Sequence, residues 1–279
     1  MAVITKPLAP WGIEVDVDLS SNANDAEIKS LFEQSGLLVA RKQKLSSSRQ
    51  KELLSVLGPV LEDYTSIGYV SNTKPGGILG DAEVSSHSDF MYKPLPFLAV
   101  SLHAIEVTDN QTWTAFANGA QALNALPQEL RSRIEALNGL NLFSATAESL
   151  SGRQRLADYP EDAPRAVHPL VRRDPITGKQ VLYISEQNTA AVIDMNEDES
   201  EALLAQLRSY LYDPANVYKH RWCNGDFVIW ANQMCTHARG GLVHGQTRTL
   251  QRVCLAEGPP EMYRAPFPAE RFEVSGAAY

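Results

Sequence analysis

Residues 217–230 read Val-Tyr-Lys-His-Arg-Trp-Cys-Asn-Gly-Asp-Phe-Val-Ile-Trp, two β-branched and aromatic runs around Asn224-Gly225. An Asn-Gly pair takes the positive-φ backbone of a tight turn at little cost, so the stretch predicts a β-hairpin between strands at Val217–Trp222 and Phe227–Trp230. Further strands are expected at Phe97–Ile105 and Thr247–Ala256. The pattern points to a mostly β fold with flanking helices, a closed or sandwiched antiparallel sheet rather than a doubly wound one.

Outward from that stretch, the first sixty residues alternate helix and strand. Asp25–Gln34 carries Ala26, Ile28, Leu31 and Phe32 at helical spacing and stops at Gly36. Leu37-Leu38-Val39 reads as a short buried strand. Ser47-x-x-Gln50 predicts a capping box that opens a helix through Leu53, Leu54 and Leu57 to Gly58-Pro59. Residues 62–96, rich in Gly, Ser, Asn, Asp and Pro, are expected to form a long active-site loop. Helices are expected near 119–126 and 127–137, and Asn196-x-x-Glu199 predicts a second capping box before Leu203, Leu204, Leu207 and Leu211. No repeat or low-complexity linker divides the chain, so residues 1–279 are read as one domain.

The 279 residues are 44% hydrophobic with a net charge of −8, enough to fill one sizeable core. No Lys/Arg stripe is present, which argues against nucleic acid as a partner. No run of 18 apolar residues suggests a membrane span, and the start, MAVITKPLAPWG, lacks signal-peptide features. Cys223, Cys235 and Cys254 include no C-x-x-C pair, which fits reduced thiols and a cytoplasmic protein. Cys235-x-His237 would be half of a zinc site, but no second thiol pair completes it.

Ser86-His87-Ser88-Asp89 sets His and Asp two apart, so on an extended chain both side chains point to one side and can reach one ion. His237 is the candidate for a distant third ligand. Together they would form the two-histidine, one-carboxylate face that leaves three positions open on iron. Arg248 and Arg252 share a strand face. Buried guanidinium groups need counter-charges, which leaves two readings: pairing with internal acids or exposure on the surface, or a clamp for an anionic cosubstrate and substrate.

The chain resembles the taurine dioxygenase/2,4-dichlorophenoxyacetate dioxygenase family from about Ile13 to Pro259. The resemblance rests on Gly12-Ile-Glu-Val-Asp-Val-Asp-Leu-Ser, on Ser86-His-Ser-Asp, and on His168-Pro-Leu-Val-Arg172 with Pro175-Ile-Thr-Gly178 and Leu182-Tyr-Ile. It rests further on Gly225-Asp-Phe-Val-Ile-Trp-Ala-Asn232 followed by His237, with the spacing of Arg248 and Arg252. It implies a double-stranded β-helix (jelly roll, cupin-like) and an oxidoreductase using Fe(II), 2-oxoglutarate and O2. His87, Asp89 and His237 would hold iron; Arg248 and Thr114, with Thr112 as the alternative to Thr114, would bind the distal carboxylate of 2-oxoglutarate. Arg252 would meet either that cosubstrate or an anion on the prime substrate. A carboxylate at Asp89, rather than Ala or Gly, implies hydroxylation or desaturation instead of halogenation.

Gln111-Thr112-Trp113, Ser86, Ala231 and Gln233 depart from the family pattern around the iron and the pocket, so a relative's substrate does not carry over. A small molecule bearing a carboxylate or similar anion is expected, with Asn72, Glu83, Phe90, Tyr92 and Phe116 as candidate contacts. His168 reads as structural, and His103, His220 and His244 as packed or surface residues. The alternatives are a natural-product tailoring oxygenase acting on an uncharged substrate, a zinc hydrolase on the same triad, and a non-catalytic binding protein. A homo-oligomer is left open.

Overall fold

The computed structural model describes residues 3–61, 68–75, 77–143, 152 and 155–263. Strands β1 (Ile4–Pro7) and β2 (Ile13–Asp16) lead through helix α1 (Asp25–Ser35) to β3 (Leu37–Ala40) and α2 (Ser47–Leu57). Three short strands follow, β4 (Gly68–Ser71), β5 (Ile78–Leu79) and β6 (Val84–His87), then the longer β7 (Ala99–Val107) and β8 (Trp113–Asn118). Helices α3 (Gly119–Ala125) and α4 (Gln128–Ile134) open an insertion that holds β9 (Asn138–Leu142), β10 (Arg165–Pro169), β11 (Val171–Arg173), β12 (Gln180–Leu182), β13 (Thr189–Val192) and helix α5 (Glu197–Leu211). Four more strands follow the insertion, β14 (Val217–Arg221), β15 (Phe227–Ala231), β16 (Cys235–Arg239) and β17 (Arg248–Leu255).

An eight-stranded sheet runs β1-β2-β3-β15-β7-β17-β4-β5, and a four-stranded sheet runs β14-β8-β16-β6. The two form the double-stranded β-helix. A cluster including Leu38, Val100, Leu102, Phe116, Trp222, Trp230 and Val253 makes the main core. Leu123, Leu130, Ile134, Leu204 and Leu207 make a second core under the insertion.

The expected hairpin at Asn224-Gly225 is corrected by this topology: β14 pairs with β8, and β15 lies in the other sheet between β3 and β7. The turn is present, with Gly225 at φ +80° and Asn224 bonded through both amide atoms to the backbone of Val107. A side chain at position 225 would come within 2.9 Å of the Gln43 carbonyl. Burial decides the strands' places. All five residues of β15 are buried, which suits a central strand covered on both faces, whereas β14 alternates buried and exposed residues as an edge strand does.

The expected loop at 62–96 also needs correction, because it contributes β4 and β5 to the large sheet and β6 to the small one. Residues 62–67 and 76 lie outside the described residues. Pairing of Thr249, Leu250, Gln251 and Arg252 on β17 with Ser71, Val70, Tyr69 and Gly68 overrides a turn-like composition. At α2 the cap is Ser46, whose Oγ accepts the Arg49 N–H at 3.1 Å, one residue before the expected Ser47. Gln50 is instead fully buried and bonds Ser101 Oγ and the side chain of Gln251. Asn196 caps α5 as expected, accepting the Glu199 N–H at 2.9 Å. Among the described residues no helix is long and apolar enough to cross a membrane.

Candidate metal centre and anion pocket

β6 and β16 pair in the small sheet with His87 directly opposite His237, and the two rings lie 4.1 Å apart between centroids. Asp89 follows two residues after His87. Its backbone is gripped by the buried Asn232 side chain, which accepts the Asp89 N–H and donates to the Asp89 carbonyl, each at 2.9 Å. One ligand atom from each of His87, Asp89 and His237 lies within 4.8 Å of the other two. Two remote parts of the chain thus present three donors to one point.

The protonation pattern fits a cation there. His87 Nδ1 lies 2.9 Å from the Ser85 carbonyl, which can only accept, so that nitrogen carries the proton. Its Nε2 faces Asp89 Oδ1 at 3.4 Å, so a nitrogen and a carboxylate oxygen are turned toward a common point. Burial, reinforced by the neighbouring His87, pushes His237 down to about 3 and keeps it neutral. Burial would raise the Asp89 carboxyl, but hydrogen bonding to His87 and the positive charge of its neighbours, Arg252 among them, hold it well below the usual carboxylate range. Two imidazoles and one carboxylate suit a divalent first-row metal. Cys235, though on the same strand as His237, is held protonated by burial and is absent from the ligand cluster.

The triad opens into a pocket that Arg239, Arg248 and Arg252 line as well. Arg248 is 2% exposed and has no carboxylate partner among the described residues. Its Nη2 donates to Thr114 Oγ1 at 2.9 Å, its Nη1 to the Trp113 carbonyl at 3.3 Å, and its Nε is buried without a partner. Burial first, then the charge of Arg239, lowers its affinity for its proton well below the ordinary value. Arg252 likewise has a buried, unpartnered Nε. Among the described residues Arg248 has no internal carboxylate to pair with, whereas the charge of Arg252 acts on Asp89.

Thr114 has a defined donor role. Its Oγ1 accepts from Arg248 Nη2 at 2.9 Å and from the Trp222 indole N–H at 3.0 Å, so both lone pairs are used. Its own O–H remains to be donated, and Thr114 lines the pocket. Thr112 is buried but does not line the pocket.

The other candidate contacts fall elsewhere. Asn72 Oδ1 accepts the Arg248 N–H and its Nδ2 donates to Asp81 and to the Gln246 carbonyl, a loop-fastening role. Glu83 is exposed. Phe90 packs against Phe97 and Tyr263, Tyr92 stacks on Phe143 at 4.5 Å, and Phe116 sits behind His237 at 6.4 Å. None of these five lines the pocket. Sequence reasoning missed Arg239, Trp230 and an apolar wall of Val70, Leu79, Val84, Val100 and Leu102. For Arg239 the signal was present: it stands two residues after His237 on a strand, the same spacing that pairs His87 with Asp89.

Residues 4–254 match the profile of the taurine catabolism dioxygenase TauD, TfdA family. An (S)-phenoxypropionate/alpha-ketoglutarate-dioxygenase of Sphingobium herbicidovorans is 27% identical over 84% of this chain and 86% of its own. Pentalenolactone F synthase of Streptomyces arenae is 28% identical over 67% of each chain. Among solved structures, AAD-2 in complex with Mn(II) and N-oxalylglycine superposes with a TM-score of 0.76 at 24% identity, covering 93% of this chain and 99% of that one. A taurine dioxygenase from Burkholderia xenovorans superposes with a TM-score of 0.75 at 22% identity, over 92% and 91%.

Proposed function

This chain belongs to the TauD, TfdA family of iron- and 2-oxoglutarate-dependent dioxygenases, and from that premise we propose that it hydroxylates or desaturates a small organic substrate bearing a carboxylate or similar anion. The observation that carries this reading is the charge of the pocket: the buried guanidinium of Arg248 and the partly buried Arg252 near one metal-ready triad, with Asp89 as the only carboxylate among the described lining residues. Unpaired buried charge is costly, so both arginines are expected to meet anions brought by ligands.

His87, Asp89 and His237 would hold Fe(II), the resident cofactor of this oxidoreductase class. When bound it supplies O2 activation coupled to decarboxylation of 2-oxoglutarate to succinate and CO2. Arg248 would pair with the distal carboxylate of 2-oxoglutarate while the Thr114 hydroxyl donates to the same group. Arg252 would orient the substrate anion, since 2-oxoglutarate has a single distal carboxylate once its 2-oxo acid end chelates metal. Val70, Leu79, Val84, Val100 and Leu102 would exclude water and position the target carbon. That apolar wall also favours a second reading, a natural-product tailoring oxygenase acting on an uncharged substrate, with Arg252 sharing the cosubstrate.

The test is a screen of small carboxylic, sulfonic and phosphonic acids, with uncharged lactones and terpenoids alongside, for substrate-stimulated succinate release under Fe(II) and 2-oxoglutarate. Stimulation by an anionic compound, abolished in His87→Ala, Asp89→Ala and His237→Ala proteins that remain folded, is the expected result. Stimulation by uncharged compounds alone would shift the reading to the second one. Equal turnover with zinc in place of iron would refute both.

A further inference from the structure

Arg239 is 5% exposed, and its guanidinium is less satisfied than its burial requires. Nη2 donates to the Gly80 carbonyl at 2.7 Å, while Nε and Nη1 are buried with no partner. Asp81, next to Gly80, is exposed and accepts from Asn72 Nδ2 at 2.8 Å. No ion pair within 4.0 Å joins Arg239 to a carboxylate among the described residues.

Its position on the sheet identifies what it faces. Arg239 pairs across β8 with Thr114, whereas His237 pairs with Phe116. It therefore lies one step further from the triad, at the end where Thr114 bonds Arg248. Arg239, Arg248 and Thr114 line the same pocket. The three residues bring four uncommitted donors to this pocket: the Thr114 hydroxyl, the unpartnered Arg248 Nε, and the unpartnered Nε and Nη1 of Arg239. Two buried cations side by side with surplus donors describe a site built for an anion with more than one acceptor oxygen.

We propose that Arg239 is a second guanidinium of the cosubstrate carboxylate site, gripping the distal carboxylate of 2-oxoglutarate together with Arg248 and Thr114, and that it thereby selects a dicarboxylic over a monocarboxylic 2-oxo acid. This rests on the reading that Arg248 receives that carboxylate. Arg248 approaches from the large sheet and Arg239 from the small one, so the carboxylate is held from both walls of the sandwich. Because Arg239 also holds the Gly80 carbonyl, the same side chain fastens the segment between β5 and β6 beside the bound cosubstrate.

The test uses Mn(II)-loaded full-length protein and two ligands sharing one chelating oxalyl end: N-oxalylglycine, which carries a distal carboxylate, and oxamate, which does not. Dissociation constants are measured by calorimetry for the unaltered protein and for Arg239→Gln, Arg239→Lys and Arg248→Gln. Losing a charge-assisted bond is worth about 1.5–3 kcal/mol, so Arg239→Gln is expected to weaken N-oxalylglycine about 10- to 100-fold while leaving oxamate unchanged. Arg239→Lys keeps the charge but not the fork and is expected to fall between; it decides the matter if the Gln variant does not fold. A purely structural Arg239 would weaken both ligands alike or neither, and either result overturns the inference. If Arg248→Gln also leaves the ratio of the two constants unaltered, the cosubstrate reading of Arg248 fails as well. If Arg248→Gln collapses the ratio and the Arg239 variants do not, only the role of Arg239 is lost.

Discussion

The Asn232 side-chain amide lies flat against the backbone of Asp89, taking its N–H on Oδ1 and giving Nδ2–H to its carbonyl, both at 2.9 Å. The same Nδ2 donates to the Phe97 carbonyl at 3.0 Å, and Ser88 Oγ returns a bond to the Asn232 carbonyl at 2.7 Å. Asp89 lies beyond the end of β6, where the sheet ladder no longer holds it, so this amide is what fixes the carboxylate opposite the two imidazoles.

Asn232→Asp replaces the Nδ2 donor with an oxygen facing two carbonyls. The expected outcome is a 10- to 100-fold (about an order of magnitude or more) loss of Fe(II) or Mn(II) affinity, the usual cost of losing a group that orients a ligand. A metal titration checks it, with circular dichroism to show that the sheet remains. Unchanged metal affinity in a folded variant would remove Asn232 from the positioning of Asp89.

Arg248→Ala and Arg252→Ala should separate kinetically. A carboxylate deprived of its buried charged partner loses about 3–5 kcal/mol, so Arg248→Ala is expected to raise the KM for 2-oxoglutarate by more than about 100-fold. Arg252→Ala is expected to raise the prime-substrate KM and leave that of 2-oxoglutarate near its original value. A rise confined to 2-oxoglutarate in the Arg252 variant would assign both arginines to the cosubstrate.

Trp222→Phe removes the indole N–H that occupies one lone pair of Thr114 Oγ1 while keeping an apolar ring in the core. The hydroxyl loses one constraint on its direction. Binding of 2-oxoglutarate, followed by the visible band of the anaerobic Fe(II) complex, should weaken about fivefold, near 1 kcal/mol for one neutral hydrogen bond. Thr114→Val should match or exceed that loss. Full-strength binding in both variants would show that the Thr114 proton is not donated to the cosubstrate.

The reach of the sequence follows from how local each signal is. His87 and Asp89 were legible because two residues apart on an extended chain is a short-range rule, and Arg248 and Arg252 because β17 keeps one face over its length. Asn232 as the holder of Asp89 was not legible, since the contact spans 143 residues and no local pattern encodes it. The Asn224-Gly225 turn was read correctly as a turn and wrongly as a hairpin, because whether β15 pairs with β14 or inserts between β3 and β7 depends on burial of both its faces. Strands β4, β5 and β6 were hidden in polar, glycine-bearing sequence whose extended form is imposed by β17 and β16. Arg239 obeyed the same two-residue rule as His87 and Asp89.

The crossing of the chain from one sheet to the other at Asn224-Gly225 has a consequence for how the protein is made. β15 enters the large sheet between Leu37–Ala40 and Ala99–Val107, segments synthesised long before it, and β17 then pairs with that same earlier strand. Until the ribosome has delivered β15 and β16, β3 and β7 have an open gap between them and His87 has no His237 beside it. Such late, long-range closure is slow and leaves apolar strand edges uncovered. The nascent chain therefore acquires its complete metal-binding face only once β16 has emerged, and a chain stopped before β16 would lack both the partner strand of β6 and the third donor for iron.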